Sequence, residues 1–91
     1  MNEIDWYNFI DAIDLAKYIK VVRDSDTDIP LAILVWYGGH QISIFSTDGK
    51  EVDIRSFGDF SNNEVPLYLV ENEMKLIEND ILTEWIRMMN D

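Results

Sequence analysis

The spacing of apolar residues near the N-terminus is typical of an amphipathic helix. Apolar side chains recur every three or four positions and so share one helical face. This stripe predicts a first helix over residues 5–18, and an extension to residue 22 is an open alternative. Residues 18–23 are also compatible with a short edge strand, so two interpretations stand for this segment. The apolar stripe contains Trp6, Phe9, Ile10 and Ile13.

Between residues 31 and 57 the apolar period falls to two, which is typical of β-strands. A two-residue turn at Gly38-Gly39 would pair Val35 with Ile42. A three-residue loop over residues 47–49, with Gly49 in the left-handed conformation, would pair Ile44 with Val52. Together these turns predict a three-stranded antiparallel meander with one apolar core face. That face contains Ile33, Val35, Ile42, Ile44, Val52 and Ile54.

A shorter second turn gives a different register. A two-residue Asp-Gly loop would set Ile42 opposite Arg55 and Ile44 opposite Asp53, mixing apolar with charged residues on one face. A shift of one residue would thus remove the core face, so we favour the three-residue loop.

The C-terminal third predicts a second helix. Pro66 suits its first turn, and apolar residues follow at helical spacing. A break at Asn79-Asp80 and a strand at residues 67–70 are alternatives. The apolar positions are Val70, Met74, Ile77, Ile81, Trp85 and Met88. We therefore expect one α+β domain over residues 1–91, in which the three-stranded meander packs with an N-terminal and a C-terminal helix in the order α-β-β-β-α.

The charge balance restricts the classes of partner. Eighteen acidic against seven basic residues give a net charge of −11. Because phosphate contacts need Lys and Arg, this excess opposes binding to nucleic acid and to anionic membranes. With no cysteine, no long apolar run and no basic leader before an apolar segment, we expect a cytoplasmic protein rather than a disulfide-linked secreted one.

Few residues suggest chemistry. His40 is the one histidine and falls in a predicted turn, where no nucleophile motif accompanies it. Asp24, Asp26 and Asp28 have the spacing that opens a calcium loop, but Ile29 and Val35 stand where that loop needs glycine and glutamate. We therefore predict no enzyme activity, no metal site and no cofactor.

The face opposite the predicted core, together with the last helix, is the candidate binding surface. Glu51 and Asp53 would lie about 6.6 Å apart along a strand. An exposed aromatic pair, Trp36 and Phe45, would anchor a partner while the carboxylates orient it. The alternative, which we favour for these two aromatics, is that the second helix covers them as core. The helix itself contributes a carboxylate stripe of Glu73, Asp80 and Glu84.

These features predict a non-enzymatic inhibitor that binds the basic groove of a nuclease or another nucleic-acid-binding protein as a nucleic-acid mimic. In size and acidity the chain is similar to phage-encoded inhibitors of host defence, including anti-CRISPR proteins, and next to acidic immunity proteins that neutralise nucleases. The likeness is compositional, and it favours a phage anti-CRISPR-type inhibitor acting in the host cytoplasm. The alternative from another class is a self-associating structural or adaptor module, a homodimer formed through the aromatic sheet face.

Overall fold

The computed structural model describes residues 4–58 and 65–89. It has an α+β fold, as the sequence predicts, with an antiparallel sheet whose strands follow chain order. A 3-10 turn and a short helix precede the sheet, and a long helix follows it. The elements are the 3-10 turn Trp6–Phe9, α1 Ile10–Leu15, β1 Tyr18–Arg23, β2 Pro30–Trp36, β3 Gln41–Phe45, β4 Glu51–Ser56 and α2 Leu67–Met89.

The described sheet has four strands, so the prediction of three was wrong. The first helix ends at Leu15 rather than at residue 18 or 22, and residues 18–23 form β1 antiparallel to β2. Ile19, Val21 and Val22 are β-branched, and such side chains favour strands over helices. The alternative that the sequence left open, an edge strand in this segment, is therefore confirmed.

The first hairpin has a different register from the predicted one. Ile42 lies opposite Trp36 rather than Val35, and the connection spans residues 37–40 instead of two glycines. The core face proposed from the sequence is therefore wrong, because Ile33 and Val35 point to the face opposite Ile42. The indole N–H of Trp36 donates to the Gly39 carbonyl at 2.7 Å, which satisfies the ring's donor inside the longer connection.

The second hairpin has the predicted loop but not the predicted pairing. Ser46 N–H donates to the Lys50 carbonyl at 2.9 Å, which closes a three-residue loop with Gly49 at φ +94°. Further along β4 the register shifts by one residue at Val52. Because of this bulge, Ile44 lies opposite Asp53, and Ile42 lies opposite Arg55. The pairing excluded on apolar matching is thus the observed one.

Helices pack on both faces of the sheet and form two cores. The main core lies between α2 and one sheet face, and the minor core lies between the N-terminal helical residues and the other face. α2 is continuous through Asn79-Asp80, and residues 67–70 belong to it. The buried main core consists of Val22, Leu31, Ala32, Leu34, Trp36, Ile42, Ile44, Phe57, Val70, Met74, Ile77 and Ile81. The buried minor core consists of Phe9, Ile33 and Val35, with Ala12, Ala16, Ile19, Val21 and Phe45 packed around them.

Candidate protein-binding groove

A cleft between β4 and α2 brings most of the predicted carboxylates together. The bulge turns Asp53 and Arg55 toward α2, where Asp80 and Glu84 follow one another by one helical turn. We call this cleft the acidic groove. Its charged walls are Asp53, Arg55, Asp80 and Glu84, and its apolar floor is formed by Ile44, Ile77, Ile81 and Trp85.

Arg55 is the cation at the centre of the acidic groove. Its Nη2 lies 2.8 Å from the Oδ2 atom of Asp80, and its Nη1 lies 3.8 Å from the Oε2 atom of Glu73. Glu73 precedes Asp80 by two helical turns, so one guanidinium links carboxylates on two levels of α2. Asp53 and Glu84 line the same cleft, so four carboxylates and one guanidinium lie in or beside the acidic groove, an excess of three negative charges.

The groove is too shallow for a small molecule. Its cavity volume is about 70 Å³, whereas small-molecule sites usually enclose about 300–1,000 Å³. Asp80 and Glu84 are exposed, and half-buried Trp85 packs against the main core beside them. Such a surface can engage side chains of a macromolecule, which do not need an enclosed pocket.

The other predicted partner-binding residues lie elsewhere. Glu51 is exposed at the start of β4, opposite Phe45 and beyond the bulge. Trp36 is 7% exposed in the main core. Phe45 packs on Phe9 in the minor core, with ring centroids 5.6 Å apart in an edge-to-face arrangement. Trp36 therefore packs in the core that contains α2, as the favoured alternative expected, whereas Phe45 packs against the N-terminal helical residues on the other sheet face and not under α2. A binding role for either stays a prediction.

Sequence reasoning missed two parts of the groove. Arg55 was not among the predicted partner-binding residues, and its contacts with α2 depend on the bulge, which the turn chemistry does not encode. Trp85 was assigned to the apolar helix face, where it does lie, but its place in the groove depends on the same pairing. The signal that could have found both was the rejected pairing of Ile42 and Ile44 with Arg55 and Asp53.

A second cavity lies beside the connection between β2 and β3. It encloses about 330 Å³ and is lined by Tyr37, His40 and Ser43, together with Gly39, Gln41 and Ser56. Partial burial, and next the negative charge of Glu51, raise the pKa of the Tyr37 phenol above its usual value. Ser43 and His40 both line this cavity, beside the polar side chains of Gln41 and Ser56.

The aspartate-rich loop after β1 is held by its own hydrogen bonds. The Oδ1 atom of Asp24 accepts the N–H groups of Asp26 at 2.8 Å and Thr27 at 3.3 Å, as in an Asx turn. Asp28 adopts φ +61°. Within residues 4–58 and 65–89, no group of three or more His, Cys, Asp or Glu side chains is placed to hold a metal ion.

Comparisons with family models, with curated proteins and with solved structures found no match to this chain. In the described part of the chain, no helix combines the length and the apolarity needed to cross a bilayer. The function therefore has to be argued from the chemistry of the acidic groove.

Proposed function

We propose that this chain binds a basic protein, a nuclease or another nucleic-acid-binding protein, through the acidic groove and inhibits it without catalysis. The observation that carries the proposal is that four carboxylates and a single guanidinium lie in or beside one cleft between β4 and α2. The ion pairs of Arg55 with Glu73 and Asp80 link the strand to the helix, so these side chains are partly ordered before a partner binds.

The dimensions suit competition with a nucleic-acid backbone. From Glu73 to Glu84 the helix rises about 16 Å at 1.5 Å per residue. Along one strand of DNA this length corresponds to roughly five nucleotides. A groove that neutralises phosphates presents Lys and Arg at similar intervals, and those cations can pair with the carboxylates instead.

The target that we favour is a nuclease effector of a host defence system, which makes the protein a phage anti-CRISPR-type inhibitor in the host cytoplasm; a nuclease immunity protein comes next. The support is the net charge of −11 on 91 residues together with the clustering of carboxylates. Such a charge accelerates association with a basic partner and keeps the chain away from nucleic acid itself.

Self-association through an aromatic sheet face has less support. It needs Trp36 and Phe45 on an open surface, but Trp36 lies in the main core and Phe45 packs in the minor core. We therefore carry forward the basic partner as the proposed function.

The test compares two double charge reversals of equal size. In the groove variant, Asp80→Lys and Glu84→Lys replace exposed acids on α2. In the control, Asp11→Lys and Asp14→Lys replace exposed acids on α1. Each protein is immobilised and exposed to host lysate at low and moderate salt. Any captured nucleic-acid-binding protein is then purified, and its affinity for the three proteins and for labelled DNA is measured.

Wild type and the control should bind the purified partner, and wild type should displace DNA from it. The groove variant should bind at least about tenfold more weakly, because a loss of 1.4 kcal/mol of charge pairing is one factor of ten. Rising salt should weaken the wild-type complex. Equal binding by the groove variant and the control would show that the groove is not the binding surface.

A further inference from the structure

In the part of the chain that the structure describes, strand β4 lies at one edge of the sheet and turns the backbone groups of alternate residues away from β3. It is the last strand in the order β1-β2-β3-β4. Phe57 N–H donates to the His40 carbonyl at 2.9 Å, so these two residues form a directly hydrogen-bonded pair. Bonded and non-bonded pairs alternate along an antiparallel ladder. The alternation makes the pair of Ser43 and Ile54 non-bonded, and the N–H and C=O of Ile54 point away from β3.

The two sides of this open edge differ in chemistry. On the α2 side lies the acidic groove with Asp53, Asp80 and Glu84. On the opposite side Val52 and Ile54 are each 47% exposed, because the N-terminal helical residues do not cover them. A strand added at this edge would therefore place alternate side chains against carboxylates and against apolar surface.

The exposed edge of β4 is also protected against pairing with unrelated strands. The Oδ1 atom of Asp53 accepts the outward N–H of Ile54 at 2.8 Å, and the bulge at Val52 interrupts the strand. Charged side chains and bulges are common protections of exposed edges. A cation brought next to Asp53 would compete for its carboxylate and free the amide, so this protection yields selectively to a basic segment.

We infer that the open edge of β4 receives an extended segment of the basic partner, in which Lys or Arg alternates with apolar residues, as a fifth strand of the sheet. This inference rests on the proposed function and specifies its partner. The residue opposite Ile54 exchanges two hydrogen bonds with it and is apolar, whereas its two neighbours carry the cations that face the acidic groove.

The probe is a blocked eight-residue peptide of alternating lysine and valine. A control peptide with the same composition has four lysines followed by four valines. Wild type should bind the alternating peptide at least about tenfold more tightly, a difference of 1.4 kcal/mol in binding free energy. Hydrogen exchange at the Ile54 amide should be at least about tenfold slower in the complex than in the free protein. Methylating the backbone nitrogens that face β4 in the alternating peptide should remove both effects.

The matched protein variants are Ile54→Pro and Ile54→Val. Proline removes the outward N–H and places its ring on the edge, while the β3–β4 ladder loses no hydrogen bond; proline is tolerated at such positions. Valine keeps the amide and a β-branched apolar side chain. The valine variant should bind the alternating peptide like wild type, and the proline variant should bind it no better than the control peptide.

The outcomes separate this inference from the proposed function. Equal binding of both peptides by wild type, or retained binding after methylation of the peptide, would overturn strand addition. If Ile54→Pro binds normally while the groove variant does not, the groove binds the partner but the edge does not. If the groove variant binds normally and Ile54→Pro does not, strand addition stands and the groove assignment is wrong. Protection of the Ile54 amide that rises with protein concentration without peptide would assign the edge to a second copy, against the inference.

Discussion

Truncating Phe9 to alanine tests the minor core, which lies on the sheet face away from α2. The Phe9 side chain is 1% exposed, and its ring lies edge-to-face with those of Trp6 and Phe45 at 5.9 and 5.6 Å. Removing a buried phenyl ring costs about 3–5 kcal/mol, and each aromatic pair contributes about 0.5–1.5 kcal/mol beyond burial. The free energy of unfolding of a folded protein is about 0.05–0.15 kcal/mol per residue, which for 91 residues gives roughly 5–14 kcal/mol. The variant should therefore lose a large share of its stability.

The assay is urea unfolding followed by circular dichroism, with Tyr7→Ala as the matched control. Tyr7 lies in the same 3-10 turn but is 81% exposed, so its truncation should change the free energy of unfolding by less than about 0.5 kcal/mol. If Phe9→Ala instead releases the N-terminal helical residues before global unfolding, the denaturant slope should fall, because less surface remains to be exposed. A loss below about 1 kcal/mol with an unchanged slope would refute the minor core.

Two further predictions concern the loop between β3 and β4. Gly49→Ala should lower the thermal midpoint by at least the equivalent of about 1 kcal/mol, because Gly49 has φ +94° and a Cβ there would overlap Cβ of Asn8. Gly39→Ala is the near-neutral control, since no atom of the described residues lies within 4 Å of its new Cβ. The Ser46 hydroxyl, and next a backbone N–H, hold the pKa of Asp48 below its usual 3.8. The stabilisation from this lowered pKa is present above pH 3.8 and is lost as the pH falls through the folded-state value. NMR titration of the Asp48 carboxyl carbon should therefore give a midpoint below 3.8. A midpoint at or above 3.8 would contradict the hydrogen bonds.

The sequence predicted α2 well because only one of its faces is buried. Val70, Met74, Ile77 and Ile81 repeat at three and four residues and all pack in the main core. When burial is one-sided, the helical period appears directly in the pattern of apolar positions. The carboxylate flank of α2 follows from the same geometry, so the part of the groove on this helix could be predicted.

Strand β2 was the source of the register error. Every residue from 31 to 36 is buried, because α2 covers one face of this strand and the N-terminal helical residues cover the other. A strand buried on both sides has a continuous apolar run, and the period-two signal that fixes register disappears. Ile33 and Leu34 are both fully buried on opposite faces, so apolar matching could not distinguish the two registers.

The bulge at Val52 links the hairpin to the groove. The three-residue loop alone would turn Arg55 and Asp53 away from Ile42 and Ile44, whereas one extra residue in β4 turns both toward α2. Turn chemistry could not reveal this, since a bulge depends on what packs beyond the loop. Ile42 and Ile44 lie opposite charged residues on β4 and therefore lack apolar cross-strand partners. They pack instead with α2 in the main core.

Arg55 explains how closely spaced carboxylates can coexist without spreading apart. Its guanidinium draws Glu73 and Asp80 toward the strand and offsets part of their mutual repulsion. The pairs are partly exposed, and such pairs contribute only about 0–1 kcal/mol each. A partner cation can therefore replace Arg55 as the ion-pair partner of these carboxylates at a small cost in free energy. Before it binds, the three excess negative charges of the acidic groove attract it. Arg55 thus keeps the acidic groove assembled in the free protein without making it neutral, which is the balance that a competitive binder of basic surfaces requires.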